Sequence, residues 1–286
     1  MLSVFANIKI EDKQRLQRFK KSFFSFKDSK IQSWSINIRG KEKNKAYQFL
    51  QKNLKSKNVF YYHLNSEKGW FSDTRKMYKT IKGCYIFFWN EDYILEKKTK
   101  IFDEIINELN QKQIDILTYG QYSTDINKLY KILKCQETKN LIYLNFDKKL
   151  RQEYYRVIKN KKLNYALTYI VSAASIIKKK LFKKIIFLND PPIKRWSKYC
   201  PFDFEKAPYD YHFLPLIIAS TKKRLFKDID FERIGSSHYF DGKNYKLKKS
   251  YKLIFYIKKP IKFFVINIRE ILNYLISNYI LKIKIR

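Results

Sequence analysis

Apolar and polar positions along the first half of this chain switch repeatedly between two periods. Ser3 to Ile10 predicts a short strand with Asn7 as a polar break inside it. Behind Asp12, a residue suited to capping, Leu16, Phe19 and Phe23 recur at helical spacing through Phe26. Lys30 to Ile38 predicts a second strand closed by Arg39 and Gly40, and Glu42 to Leu54 a second helix with Ala46, Phe49 and Leu50 on one side. Val59 to Leu64 predicts a third strand, Glu67 to Gly69 a loop, and Ser72 or Asp73 the start of a helix through Met77 to Ile81. Gly83 ends that helix. Cys84 to Trp89 is then continuously apolar or aromatic, the pattern of a strand buried on both faces, and it stops abruptly at Asn90, Glu91 and Asp92. Strands and helices alternating in this rhythm predict βαβ units and parallel pairing, hence an α/β fold.

The rhythm loosens after residue 120. Lys98 to Leu109 predicts a helix, Ile114 to Thr118 a strand, Tyr119 to Tyr122 a turn and Asn127 to Leu133 a short helix. Asn140 to Phe146 predicts a strand, Leu150 to Ile158 a helix, Tyr165 to Ser175 a strand or a buried helical segment, and Leu181 to Phe187 a helix. Asp190 to Pro208 holds four prolines among Trp196, Tyr199, Phe202 and Phe204, which excludes regular ladders and predicts an ordered loop over a cleft. Leu214 to Ala219 predicts a buried segment, Lys222 to Ile229 a short amphipathic helix, and Gly235 to Lys243 a polar loop. The organisation expected is one half over 1–120, a second half of the same domain over 121–250, and a basic amphipathic segment over 251–286.

Composition changes the picture in one respect. The 286 residues carry a formal net charge of +35, mostly lysine, which favours polyanionic partners: nucleic acid, anionic lipid or nucleotide phosphate. With 45% hydrophobic and 17% aromatic residues, a sizeable core is available and a disordered chain is excluded. Cys84, Cys135 and Cys200 are odd in number and lack metal-ligand spacing, which argues against a disulfide-stapled fold and a structural zinc site. His63, His212 and His238 are too scattered for a local metal motif. Met1 to Ile10 lacks the basic start of a signal peptide, and no uninterrupted apolar stretch reaches transmembrane length. Within 252–286, Phe264, Ile268, Ile271, Leu272, Leu275 and Tyr279 follow helical spacing among lysines. Such a helix suits either an anionic membrane surface or the protein's own core.

The loop Asn65 to Gly69, the helix near Met77, the strand Gly83-Cys84-Tyr85-Ile86-Phe87-Phe88 and its acidic end Asn90-Glu91-Asp92 together resemble family 2 glycosyltransferases over residues 3 to 118. The resemblance implies a GT-A-like fold, a mostly parallel sheet flanked by helices with a helical and loop-rich C-terminal part. It implies a nucleotide-sugar donor, a glycan or lipid-linked acceptor, and a place in bacterial surface polysaccharide or lipooligosaccharide synthesis. In the family, the last acid of this motif helps to hold a divalent cation, so Asp92 is the metal-ligand candidate for Mn²⁺ or Mg²⁺, with Glu91 beside it. Asn7, Arg39, Asn65, Gly69 and Asp73 are the further donor-site candidates. This chain reads Asn37-Ile38-Arg39-Gly40 where the family carries paired aspartates.

Transfer also needs a base for the acceptor hydroxyl, and Glu205, Asp228 and Asp230 are the candidates. Each single acid is equally suited to an ion pair, a cap or solvation. Two other functions fit the charge: a nucleic-acid-binding protein or nuclease, and a non-catalytic membrane-surface module. No compact arginine-rich or nuclease motif is present, so specific nucleic-acid binding is not expected. The expected location is cytoplasmic, peripheral on the inner face of the membrane.

Overall fold

The computed structural model describes residues 1–55, 58–65, 67–118, 135–160, 175–187 and 213–229. Strands β1 (Leu2–Lys9), β2 (Ile31–Arg39) and β3 (Val59–Tyr62) alternate with helices α1 (Lys13–Phe26), α2 (Lys43–Asn53) and α3 (Trp70–Tyr78). Then follow β4 (Tyr85–Phe88), β5 (Tyr93–Leu95), α4 (Thr99–Gln111), β6 (Ile116–Thr118), β7 (Gln136–Glu137) and β8 (Leu141–Phe146). The remaining elements are α5 (Lys148–Asn160), β9 (Ser175–Lys178), α6 (Lys179–Phe187), β10 (Leu216–Thr221) and β11 (Phe226–Asp228).

Among the described residues, nine strands form one mixed sheet in the order β3-β2-β1-β4-β9-β6-β10-β8-β7, and β5 and β11 form a separate pair. β1 lies parallel to both β2 and β4, and β2 lies parallel to β3. The chain therefore winds outward from β1 to β3 and returns to β1's other side with β4. That reversal lies between β1 and β4, and open α/β sheets bind ligands at the carboxyl ends of their strands. β9 and β8 run antiparallel to their neighbours in the second half.

Helices cover both faces, and side-chain alternation decides which face each residue meets. Val4, Ala6 and Ile8 of β1, with Tyr85, Phe87 and Trp89, pack in one cluster with Phe19 and Phe23 of α1, Leu50 of α2 and Phe102 of α4. Phe5, Ile86 and Phe88 point the other way, to Trp70 and Met77 of α3 and Phe182 and Ile185 of α6. The first cluster is largely aromatic: Trp89 stacks on Phe19 at 4.8 Å between centroids and Trp34 on Phe26 at 5.7 Å. Each such fully buried side chain contributes about 1.5–3 kcal/mol. Trp89 Nε1 donates to Ser22 Oγ at 2.9 Å, and that hydroxyl donates to the Tyr93 carbonyl, so the polar tip of the ring is satisfied.

Three boundaries differ from the sequence pattern. α3 begins at Trp70, with Gly69 as its N-cap, so Asp73 sits inside the first turn and not at the cap. Lys222 to Ile229 is not a helix: the chain bends at Lys222 and Lys223 and forms β11 antiparallel to β5. Tertiary pairing overrides local propensity there, because Phe226 packs its ring on Phe87 at 5.3 Å and Phe102 at 5.6 Å. Ser175, expected to end a strand or helix, begins β9 instead.

All described residues belong to one unit, Met1–Ile229, in which β6 and β10 of the later sequence share the sheet of β1–β4. The turn at 119–122, the helix at 127–133, residues 165–174 of the Tyr165 to Ser175 segment, the proline-rich stretch, the loop at 235–243 and the segment 251–286 lie outside the described residues.

Candidate functional site

The carboxyl ends of β1 and β2 carry a pair of buried amides. Asn7 and Asn37 are register partners on parallel strands, so both point to the α3 side. Asn37 Nδ2 donates to Asn7 Oδ1 at 3.0 Å and to the Leu64 carbonyl at 3.1 Å, and Asn37 Oδ1 accepts from the Leu64 N–H at 2.9 Å. The side chain thus holds the backbone after β3 as a neighbouring strand would. Asn7 Nδ2 donates to Thr74 Oγ1 at 3.2 Å, and its carbonyl accepts from Trp70 Nε1 at 3.2 Å. Asn7, expected as a donor contact, therefore anchors α3 to β1, and its amide faces protein groups. The sequence pattern marks Asn7 as a polar break, while Asn37 enters only as part of the stretch standing where the family carries paired aspartates.

The loops held by these amides enclose a crevice of about 270 Å³, lined by Lys9, Ile38, Arg39, Gly40, Lys43, His63, Leu64 and Asn65. Three of the lining residues are cationic and none is acidic. Arg39, at the end of β2, is 9% exposed, while Lys43 opens α2 and is exposed. Gly40 is required at the turn between them. It has φ +97°, and a Cβ there would lie 2.3 Å from the Ile10 carbonyl oxygen. Tyr47 ties lining residues together: its hydroxyl accepts from the Ile38 N–H at 2.8 Å and donates to the Tyr62 carbonyl, and its ring lies 4.7 Å from that of His63. Burial raises the pKa of this phenol above its ordinary value. Asn65 forms a local turn, accepting from the Glu67 N–H at 3.2 Å and donating to Glu67 Oε1 at 2.6 Å.

The acidic end of β4 faces elsewhere. The chain turns after Asn90, with the Tyr93 N–H donating to the Asn90 carbonyl at 3.4 Å. Both carboxylates thereby reach α1. Arg15 Nε donates to Glu91 Oε1 at 2.6 Å, and Arg18 Nε donates to Asp92 Oδ1 at 3.2 Å. Glu91 and Arg18 are buried, at 3% and 6% exposure. Arg15 and Arg18, three positions apart on one helix face, are the residues that sequence reasoning missed here. Among the described residues, no three His, Cys, Asp or Glu side chains gather into a possible metal seat. Glu91 and Asp92, engaged by guanidinium groups, do not fit a divalent cation as placed.

The other sequence candidates divide. Arg39 and Asn65 line the crevice. Gly69, at φ +90°, and buried Asp73 shape the start of α3. Asp228 lies in β11 opposite Tyr93, and the next residue, Ile229, donates its N–H to the Asp92 carbonyl at 2.8 Å. The backbone thus brings Asp228 beside the acidic end of β4. Glu205, Asp230, His212 and His238 lie outside the described residues. Lys9, Lys43 and His63 join the crevice unannounced by any motif, because only the sheet register brings them together.

No family model matches the chain, and no curated protein matches it. Similar solved structures include S. aureus TarS 1–349, at 10% identity and TM-score 0.44, covering 80% of this chain and 61% of that one. They also include the same TarS fragment in complex with UDP-GlcNAc, at 10% identity and TM-score 0.46 over 84% of this chain and 61% of that one. S. aureus TarS itself matches at 11% identity and TM-score 0.45, over 79% of this chain and 36% of that one. The chain thus spans less than two thirds of the length of these structures.

Proposed function

We propose that this protein transfers a sugar from a nucleotide-sugar donor to a glycan or lipid-linked acceptor, with the nucleotide bound in the crevice beside Arg39. One observation carries the reading: three cations and no carboxylate line a crevice at the carboxyl ends of the parallel strands β1, β2 and β3. A diphosphate-bearing ligand matches that charge. The crevice lies near the lower end of the about 300–1,000 Å³ typical of small-molecule sites, which suits the nucleotide part of a donor with its sugar reaching outward.

In the transfer, the acceptor hydroxyl oxygen attacks the anomeric carbon of the sugar. The bond from that carbon to the diphosphate breaks, the nucleoside diphosphate leaves with the electron pair, and the hydroxyl proton passes to a base. Asp228 is the described candidate for that base, with Glu205 and Asp230 as the alternatives. Among the described residues, no helix is long and apolar enough to cross a membrane. Attachment through the basic segment 251–286 is the proposed route to a membrane-bound acceptor, in surface-glycan synthesis at the inner face.

The test is incubation of the full chain with a panel of nucleotide sugars, UDP-GlcNAc among them, with release of nucleoside diphosphate as the readout. Release from one donor, quickened by a glycan or lipid-linked acceptor, supports the reading. A folded chain that cleaves none and binds none contradicts it.

A further inference from the structure

We infer that the donor diphosphate is held here by cationic side chains and not by a divalent cation, because the acidic end of β4 is locked onto α1. The inference rests on the donor reading above and adds how the leaving group's charge is met. Glu91 and Asp92 are the acids at the position where a metal ligand was expected, and each is taken by an arginine, at 2.6 Å from Arg15 and 3.2 Å from Arg18.

The two pairs sum to zero charge, so the acids present no net negative field to a hard cation, which needs several oxygen ligands. Turning Asp92 toward a metal would take from the Arg18 guanidinium the acid to which its Nε donates. That loss is costly, since the Arg18 side chain is only 7% exposed. Among the described residues its buried Nη2 meets no hydrogen-bond partner, and Asp92 is the acid to which its Nε donates. A cation drawn close to Arg15 and Arg18 would also meet repulsion from both.

The crevice, meanwhile, is lined by three cations, of which Lys9 is ion-paired with Glu11 Oε2 at 3.2 Å. Lys9, Arg39 and Lys43 converge from the ends of β1 and β2 and the start of α2. Lys43 also lies in the first turn of α2, where backbone N–H groups add partial positive charge. Arginine and lysine can meet the charge that develops on a leaving diphosphate, as a metal ion does elsewhere.

The experiment titrates uridine, guanosine, adenosine and cytidine diphosphates into the unmodified full chain, once in EDTA and once in excess Mn²⁺. The affinity of the bound nucleotide is expected to differ by less than about tenfold between the two. In EDTA, the Lys9→Ala/Lys43→Ala chain should bind the diphosphate at least about tenfold more weakly, with little change for the parent nucleoside. Asp92→Asn should lower the unfolding midpoint and leave diphosphate affinity unchanged where the variant folds. Loss of binding in EDTA with recovery in Mn²⁺ would overturn the inference and leave the donor reading standing. Binding in neither condition would overturn both.

Discussion

Asn37 donates its side-chain amide to Asn7 Oδ1 at 3.0 Å across two neighbouring parallel strands, and the same amide group holds the Leu64 backbone from both sides. This pairing sets the height of the loop after β3, and with it one wall of the crevice. Neither amide needs to touch a ligand to matter: both are positioning residues. Asn37→Ala removes a buried donor and acceptor at once and leaves Asn7 and Leu64 groups unmet. A loss of about 1–3 kcal/mol is expected in urea unfolding, together with weaker nucleoside diphosphate binding. Unchanged stability and unchanged binding would show that the loop is held by something else.

The Arg18–Asp92 pair gives a second prediction. Asp92→Asn removes the charge that compensates a buried guanidinium, and about 3 kcal/mol of stability should go with it. Replacing both partners, as Arg18→Met with Asp92→Asn, should cost less than the sum of the single changes by about 1 kcal/mol or more. A double-mutant cycle in chemical denaturation measures this directly. Simple additivity would mean that the two residues are not coupled.

Gly40→Ala tests the turn on which the crevice is built. The new Cβ would fall 2.3 Å from the Ile10 carbonyl oxygen, and φ is +97° before any repacking. The strained backbone and the clash together should lower stability by more than about 1 kcal/mol. The displaced turn should also move Arg39 and weaken nucleotide binding. Wild-type stability in this variant would mean that the turn is open to side chains.

Much of the fold was legible because the apolar pattern is strong where elements are buried on defined faces. β1, β2, α1, α2 and β4 fall within a few residues of their predicted positions for that reason. β5, β7, β9 and β11 carry too few residues for a period to show, and they exist through pairing with distant strands. The acidic end of β4 stood out in the sequence, but its partners did not: nothing in the pattern of α1 singles out Arg15 or Arg18. Only the turn after Asn90 brings Glu91 and Asp92 round to them. Asn7 stood out as a polar break inside an apolar strand, Arg39 as a guanidinium just before Gly40, and Asn65 only through the resemblance of its loop; of these, Arg39 and Asn65 line the crevice. Lys9, Lys43 and His63 did not stand out, since one lysine among many carries no signal and their convergence depends on register.

Two shielded phenols, half-buried Tyr61 and buried Tyr85, predict the alkaline limit of stability. Burial, with the nearby Tyr47 phenol as a lesser cause, pushes the Tyr61 pKa up to about 12 from 10.0. Tyr85 is raised as well, chiefly by burial, and donates its hydroxyl to the Leu109 and Ile114 carbonyls at 2.7 and 2.9 Å. A raised phenol pKa means that the unfolded chain releases these protons first. Their contribution is therefore intact below pH 10 and is lost progressively as pH rises from 10 through about 12. Unfolding midpoints measured across that range should fall, and the fall should be shallower in Tyr61→Phe. An identical slope in that variant would remove Tyr61 from the account.

The most direct test is calorimetric titration of nucleoside diphosphates into the full chain, compared with folded Lys43→Glu and Arg39→Met chains. The account predicts saturable one-to-one binding for one of the nucleotides, weakened by at least about tenfold in each variant. Equal affinity in all three chains would place the nucleotide elsewhere and contradict the assignment of the crevice. Absence of saturable binding by the unmodified chain would contradict the account at its root.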